Sequence, residues 1–129
     1  MTFAILAFPQ LEELDAIGPW EMAGMWHQVA GGPPCLIVAE QAGPVVCAKG
    51  LSLNPHVSFD TCPQLDVLLV PGGQGTRTEV DNPRLIDFVA RQARGCKAVL
   101  SVCTGSFILQ KAGLLAGRRA TTHWGSLGR

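Results

Sequence analysis

No basic run longer than Arg118-Arg119 occurs, and ten Lys and Arg residues balance ten Asp and Glu. Capture of a polyanion needs a basic stripe or patch, so nucleic-acid binding by this chain alone is not expected. No Cys-x-x-Cys pair is present. The five cysteines, Cys35, Cys47, Cys62, Cys96 and Cys103, are odd in number and scattered. That pattern argues against a disulfide framework or a zinc site and for free thiols in a reducing compartment, with the cytoplasm as the expected location. His27 and His56 have no partner at metal-ligand spacing, so no metal is expected. The segment Phe3 to Phe8 is apolar but has no basic leader and no small-residue cleavage site, and Glu12, Glu13 and Asp15 follow at once. It is read as a first strand, not as a signal peptide or membrane span. No internal repeat or low-complexity segment occurs.

What is present describes one compact α/β domain. Of 129 residues, 47% are hydrophobic and 16% charged, enough to bury a core. Thr2 to Phe8 is the first expected strand. Gly18-Pro19 is read as opening a helix, with Trp20, Met22, Ala23, Met25 and Trp26 as a broad buried face, and Gly31-Gly-Pro-Pro34 ends that unit. Leu36 to Ala39 is a second strand. Val45 to Ala48 and Leu51 to Leu53 read as a hairpin-like excursion, and Leu65 to Val70 as a buried strand stopped by Pro71-Gly72-Gly73. Asn82-Pro83 starts a helix that ends at Gly95. A strand from Ala98 and a helix capped by Gly113 follow, and Ala120 to His123 is read as a further short strand. Alternating strands and helices imply a mostly parallel sheet, with sites at the carboxyl ends of its strands.

The most informative stretch is Ala98-Val-Leu-Ser-Val-Cys103-Thr-Gly-Ser-Phe-Ile-Leu109. Its first half, rich in β-branched residues, reads as an interior parallel strand, and its second half opens an apolar helix. Almost nothing separates the two, so Cys103 sits on an abrupt turn above the strand ends, the logic of a nucleophile elbow. A helix N-terminus favours thiolate, so the Cys103 pKa is expected to fall below that of a free cysteine. Asp15 follows the first strand. Placed within reach of Cys103, its carboxyl would be raised by like charge and desolvation into a usable general acid and base. The Pro71-Gly72-Gly73-Gln74-Gly75 turn lacks the Walker lysine and Gly-x-Gly-x-x-Gly spacing. Its side-chain-free backbone suits an oxyanion donor instead, with the Thr104 amide as the second donor and the Thr104 hydroxyl placed to hold water. Of the three histidines only His123 is read as lying near the thiol.

Asp15 within Glu-Leu-Asp-Ala-Ile-Gly-Pro, Pro71-Gly72-Gly73, Ser101-Val-Cys-Thr-Gly105 and Ala112-Gly-Leu-Leu-Ala-Gly-Arg-Arg-Ala-Thr-Thr-His-Trp124 together resemble the ThiJ/PfpI superfamily over residues 1–129. The resemblance implies the class I glutamine amidotransferase-like fold, a flavodoxin-like three-layer sandwich. Members continue for several more strands and helices after Thr-His-Trp, so the carboxyl-terminal part of the domain is expected to be missing. Asp at position 15 and Thr after the cysteine are most similar to the isonitrile hydratase branch. That likeness implies addition of water to an isonitrile to give an N-substituted formamide. Cys103 would be the nucleophile, Asp15 the acid and base and Thr104 a further catalytic residue, with the Gly73 and Thr104 amides as oxyanion donors. It implies a small-molecule substrate, a homodimer, no membrane and no cofactor. The same segments also resemble the amino-terminal sensing half of AraC-type transcription regulators, in which Cys103 need not react. A cysteine hydrolase or deglycase of the superfamily is a further alternative.

Overall fold

The computed structural model describes residues 2–113. Five strands form the main sheet: β1 (Phe3–Ala7), β2 (Cys35–Ala39), β5 (Val57–Ser58), β6 (Val67–Val70) and β7 (Ala98–Ser101), in the order β5-β2-β1-β6-β7. Every neighbouring pair is parallel, with Ile5 opposite Ile37 on one side and Leu69 on the other. The remaining pair, β3 (Val45–Val46) and β4 (Ser52–Leu53), forms the expected antiparallel excursion. Helix α1 (Glu13–Ala30) links β1 to β2, and α3 (Pro83–Gly95) links β6 to β7 in the opposite direction. Right-handed crossovers running opposite ways place these helices on opposite faces of the sheet. The direction reverses between β1 and β6, which is where ligands bind in folds of this kind.

The central strands are apolar because both faces are covered. Ala4, Ile5, Leu6, Leu68 and Val70 are fully buried, with Phe8, Leu85, Phe88, Val89 and Ile108 packed around them. Phe59 and Phe88 stack with ring centroids 4.1 Å apart. Helix α3 begins where Asn82-Pro83 predicts: Asn82 Oδ1 accepts the Arg84 amide and Pro83 occupies the first helical position. Two short elements escaped the sequence reading, β5 and α2 (Thr76–Glu79), since pieces this short carry no periodicity. The last described helix is α4 (Gly105–Lys111), after which Gly113 takes φ +81° as a glycine at a helix end does. The expected strand from Ala120 to His123 lies outside the described residues.

Two expectations need correction. Helix α1 starts at Glu13, five residues before Gly18, and Pro19 lies inside it. The acidic first turn Glu13 to Asp15 suits a helix N-terminus, and that outweighs the proline signal. With the longer helix, Ala23 faces the core while Met22, Met25, Trp26 and Val29 are exposed, Met22 at 76%. Apolar residues lie on several sides of α1, so composition misplaced its buried face. The second correction concerns β7. Among the described residues it is an edge strand with Leu100 46% exposed, where its apolar run predicted an interior one.

Candidate active site

Three connections converge at the carboxyl ends of neighbouring strands: residues 8–12 after β1, 71–75 after β6 and 102–104 after β7. Each is tied to the next through the backbone. Glu12 N donates to Gly72 O, Gly75 N to Gln10 O, and Val102 N to Val70 O. Glycine is needed at position 72 for the approach itself. A Cβ there would lie 2.7 Å from Thr104 N and 3.0 Å from Cys103 Cβ. At Gly105 a Cβ would likewise collide with the Val70 and Pro71 carbonyl oxygens, so its absence lets the helix after the thiol press onto the end of β6.

Cys103 occupies the sharp turn that its position between strand and helix implies. Its φ is +49°, left-handed and uncommon for a residue with a side chain. That conformation turns the chain from β7 into α4 within a few residues and leaves the thiol exposed, while the other four free thiols are buried or half-buried. Asp15, in the first turn of α1, is only 8% exposed. Its Oδ2 accepts the Gly72 amide at 3.1 Å, and its Oδ1 lies 3.8 Å from Cys103 Sγ as acceptor of the thiol.

The electrostatics couple these two groups. Burial raises the Asp15 carboxyl; the Gly72 amide and the Cys103 thiol oppose it, Glu12 adds to the rise and Lys49 subtracts from it. Cys103 is pushed up by burial first, then by the Asp15 charge and hydrogen bond and by Glu12. The thiol therefore moves up, opposite to the direction expected from the helix terminus. Desolvation of the sulfur is the first cause and the carboxylate directly against it the second, and a helix of only seven residues does not offset them. Protonating Asp15 removes that repulsion, so the pair titrates as a unit.

The Thr104 hydroxyl faces the 71–75 loop. Its Oγ1 accepts the Gly73 amide at 3.0 Å, and Thr76 Oγ1 lies 3.1 Å from it and 2.8 Å from Gly73 O. The Gly73 amide, expected to be an oxyanion donor, is thus spent on Thr104, and an oxyanion would have to displace that hydroxyl. The Thr104 amide has no acceptor among the described residues. Thr76 and the Gly72 amide were not anticipated. Gly72 was legible as part of Pro-Gly-Gly, but which amide meets Asp15 depends on the twist of the loop. Of the histidines, His56 accepts the Ile37 amide through Nδ1 and stacks on Trp20, while His27 Nδ1 lies against Gly32 O, both structural roles. His123 lies outside the described residues. Among the described residues no group of three His, Cys, Asp or Glu side chains is placed to hold a metal ion.

The chain is 40% identical over 124 residues to isonitrile hydratase of Pseudomonas putida, covering 96% of this chain and 53% of that protein. It is 30% identical over 122 residues to the HTH-type transcriptional regulator CdhR of Pseudomonas aeruginosa, covering 95% of this chain and 34% of the regulator. Among solved structures, a ThiJ/PfpI family protein from Pseudomonas syringae superposes with a TM-score of 0.83 at 38% identity, covering 95% of this chain and 50% of that one. The chain thus spans about half the length of the first of these relatives. The model of the DJ-1/PfpI family matches residues 1–128. On that match, and on a mostly parallel five-stranded sheet that superposes on its members, the chain belongs to the DJ-1/PfpI family.

Proposed function

We propose that this chain carries the reacting groups of an isonitrile-hydrating enzyme. The observation that supports this most directly is the 3.8 Å approach of Cys103 Sγ to Asp15 Oδ1, an exposed nucleophile against a buried acid. The reaction needs both. The Cys103 thiolate adds to the terminal isonitrile carbon while protonated Asp15 delivers its proton to that carbon, giving a thioimidate and an ionised Asp15. Water then adds across the C=N bond. Asp15 takes a proton from the water and passes it to nitrogen, and the hydroxyl joins carbon. Collapse of this adduct expels the thiolate, returns the hydroxyl proton to Asp15 and releases the N-substituted formamide. Protons balance over the cycle, and no cofactor enters it. Thr104 is assigned two roles: its hydroxyl, which bonds Gly73 and Thr76 in this structure, would turn to hold the water, and its amide, without an acceptor among the described residues, would donate to the developing negative charge.

A homodimer is part of the same proposal. Leu14, Met22, Met25 and Val29 form an exposed apolar stripe along α1, the kind of surface a second copy covers. So is a cytoplasmic location, which the five free thiols support; no helix among the described residues is long and apolar enough to cross a membrane.

The test is formamide production from an alkyl isonitrile, followed by NMR, in the wild type and in Cys103→Ala. Turnover that disappears in the variant supports the proposal; undiminished turnover sinks it. The similarity to CdhR favours a second reading, in which the cleft binds a small ligand without reacting. Retained ligand binding by Cys103→Ala, with no turnover by either protein, is the result that selects it.

A further inference from the structure

The short turn between β3 and β4 is fastened to the start of α1 more tightly than an exposed turn requires. Ala48 N donates to Leu11 O at 2.8 Å, and Glu13 Oε2 accepts both the Lys49 amide at 2.7 Å and the Leu51 amide at 3.2 Å. Glu13 Oε1 is buried without a hydrogen-bond partner among the described residues, a cost the fold carries while the carboxylate grips this turn. Desolvation raises the Glu13 carboxyl, but its own amide, those of Leu51 and Lys49 and the Lys49 charge outweigh it and hold the group below its ordinary range. Glu13 is therefore an anchor whose anionic form is maintained.

The grip fixes where Lys49 reaches. Its ammonium meets both Glu12 oxygens at 2.5 Å. Glu12 is the N-cap of α1 and Asp15 stands three positions later, a spacing that brings side chains together on one helix face. Glu12 N also donates to Gly72 O, on the peptide chain whose amide binds Asp15. Two carboxylates would thus crowd the thiol from one helix end. The charged groups that act on the couple from the described elements are Glu12 at the N-cap of α1 and Lys49 on the β3–β4 turn. Residues 71–75 and 102–106 contribute no charge.

We propose that Lys49 is a positioning residue for the Cys103–Asp15 couple: clamped by Glu13, it offsets part of the negative charge that Glu12 brings to bear on Asp15 and the thiol. An exposed ion pair adds little to stability, and Lys49 is 69% exposed, so its value lies in the field it sets at its neighbours. Both groups of the couple feel Glu12, and Asp15 also feels Lys49. This inference rests on Cys103 and Asp15 being the reacting pair. Its readout is independent of the substrate.

The experiment is the pH profile of iodoacetamide alkylation at Cys103, read by peptide mass analysis on the full chain, with circular dichroism to show that each variant is folded. Lys49→Gln uncovers the Glu12 charge, so the midpoint moves up and alkylation at pH 7 slows by about twofold. Glu12→Gln moves the midpoint down. The Lys49→Gln/Glu12→Gln double variant restores a neutral pair and returns it to the wild-type position, a rescue that a merely structural role does not produce. High salt shrinks both single-variant shifts. An unmoved midpoint in Lys49→Gln overturns the proposal, as does movement in the same direction in both single variants. Absence of formamide from an isonitrile overturns the proposed reaction instead and leaves these titrations readable.

Discussion

Cys103 Sγ lies 3.8 Å from Asp15 Oδ1, although the two residues are 88 positions apart in the chain. A thiol and a carboxyl at this distance cannot ionise independently. Replacing Asp15 by Asn removes the charge that pushes the thiol up, so the midpoint of Cys103 alkylation falls in that variant. If Asp15 moves the protons, the same change lowers isonitrile turnover by about 10²–10⁴-fold. A more reactive thiol in a less active enzyme separates these two roles of the carboxyl. A rise in the alkylation midpoint would contradict the geometry.

Among the five thiols Cys103 is expected to label first at neutral pH. It is exposed, whereas burial pushes Cys35 and Cys62 up to about 11 and also raises Cys47 and Cys96. Short iodoacetamide pulses on folded protein, followed by peptide mass analysis, give the order. Faster labelling at any of the other four would remove the elbow from consideration.

The two perturbed aspartates predict opposite pH dependences of stability. Asp15 is raised in the folded state, chiefly by burial, so its favourable contribution is full below its unfolded pKa and is lost as pH rises through the folded value. Asp15→Asn is therefore expected to melt higher than wild type at pH 7, the gap closing on acidification. Asp66 is lowered, chiefly by the Thr2 amide that donates to it at 2.8 Å. Its contribution is present above the unfolded pKa and lost as pH falls through the folded one. Asp66→Asn should melt lower than wild type at pH 7 and converge with it in acid. Thermal melts across a pH series check both signs.

Gly72→Ala tests the closeness of the loop to the elbow. The added methyl meets Thr104 N and Cys103 Cβ, neither of which is a flexible chain end. A destabilisation of about 1–3 kcal/mol is expected, with slower alkylation of Cys103. Denaturant unfolding gives the first quantity and labelling the second. Wild-type values for both would mean that the loop stands further off.

Met22→Lys places a charge in the exposed stripe of α1. Since the side chain is open to solvent within one copy, folding should be little affected, while a dimer built on this face should dissociate to monomers. Light scattering behind size exclusion distinguishes the outcomes, and an unchanged assembly would place any dimer contact elsewhere.

Much of the fold was legible because its signals are local. The buried run ending at Val70, the Asn82-Pro83 start of α3 and the Gly113 stop of α4 each act within a few residues. Helix α1 shows where local signals compete: Gly18-Pro19 suggests a start, but the acidic turn before it already begins the helix and Pro19 is accommodated inside. Trp26, Met22 and Met25 look like core by composition, and only packing shows them outside.

The sequence by itself determined that a thiol stands at an abrupt strand-to-helix turn in an α/β domain, since strand composition, the glycine at 105 and the helix that follows are all contiguous. Only the tertiary structure decided that Asp15 reaches Cys103, that the Gly72 amide holds the carboxyl while the Gly73 amide serves Thr104, and that the thiol is pushed up. Those outcomes depend on burial and on charges brought together from loops far apart in the chain. Periodicity and turn chemistry report what a segment does; they carry no information on which segments end up within a hydrogen bond of each other.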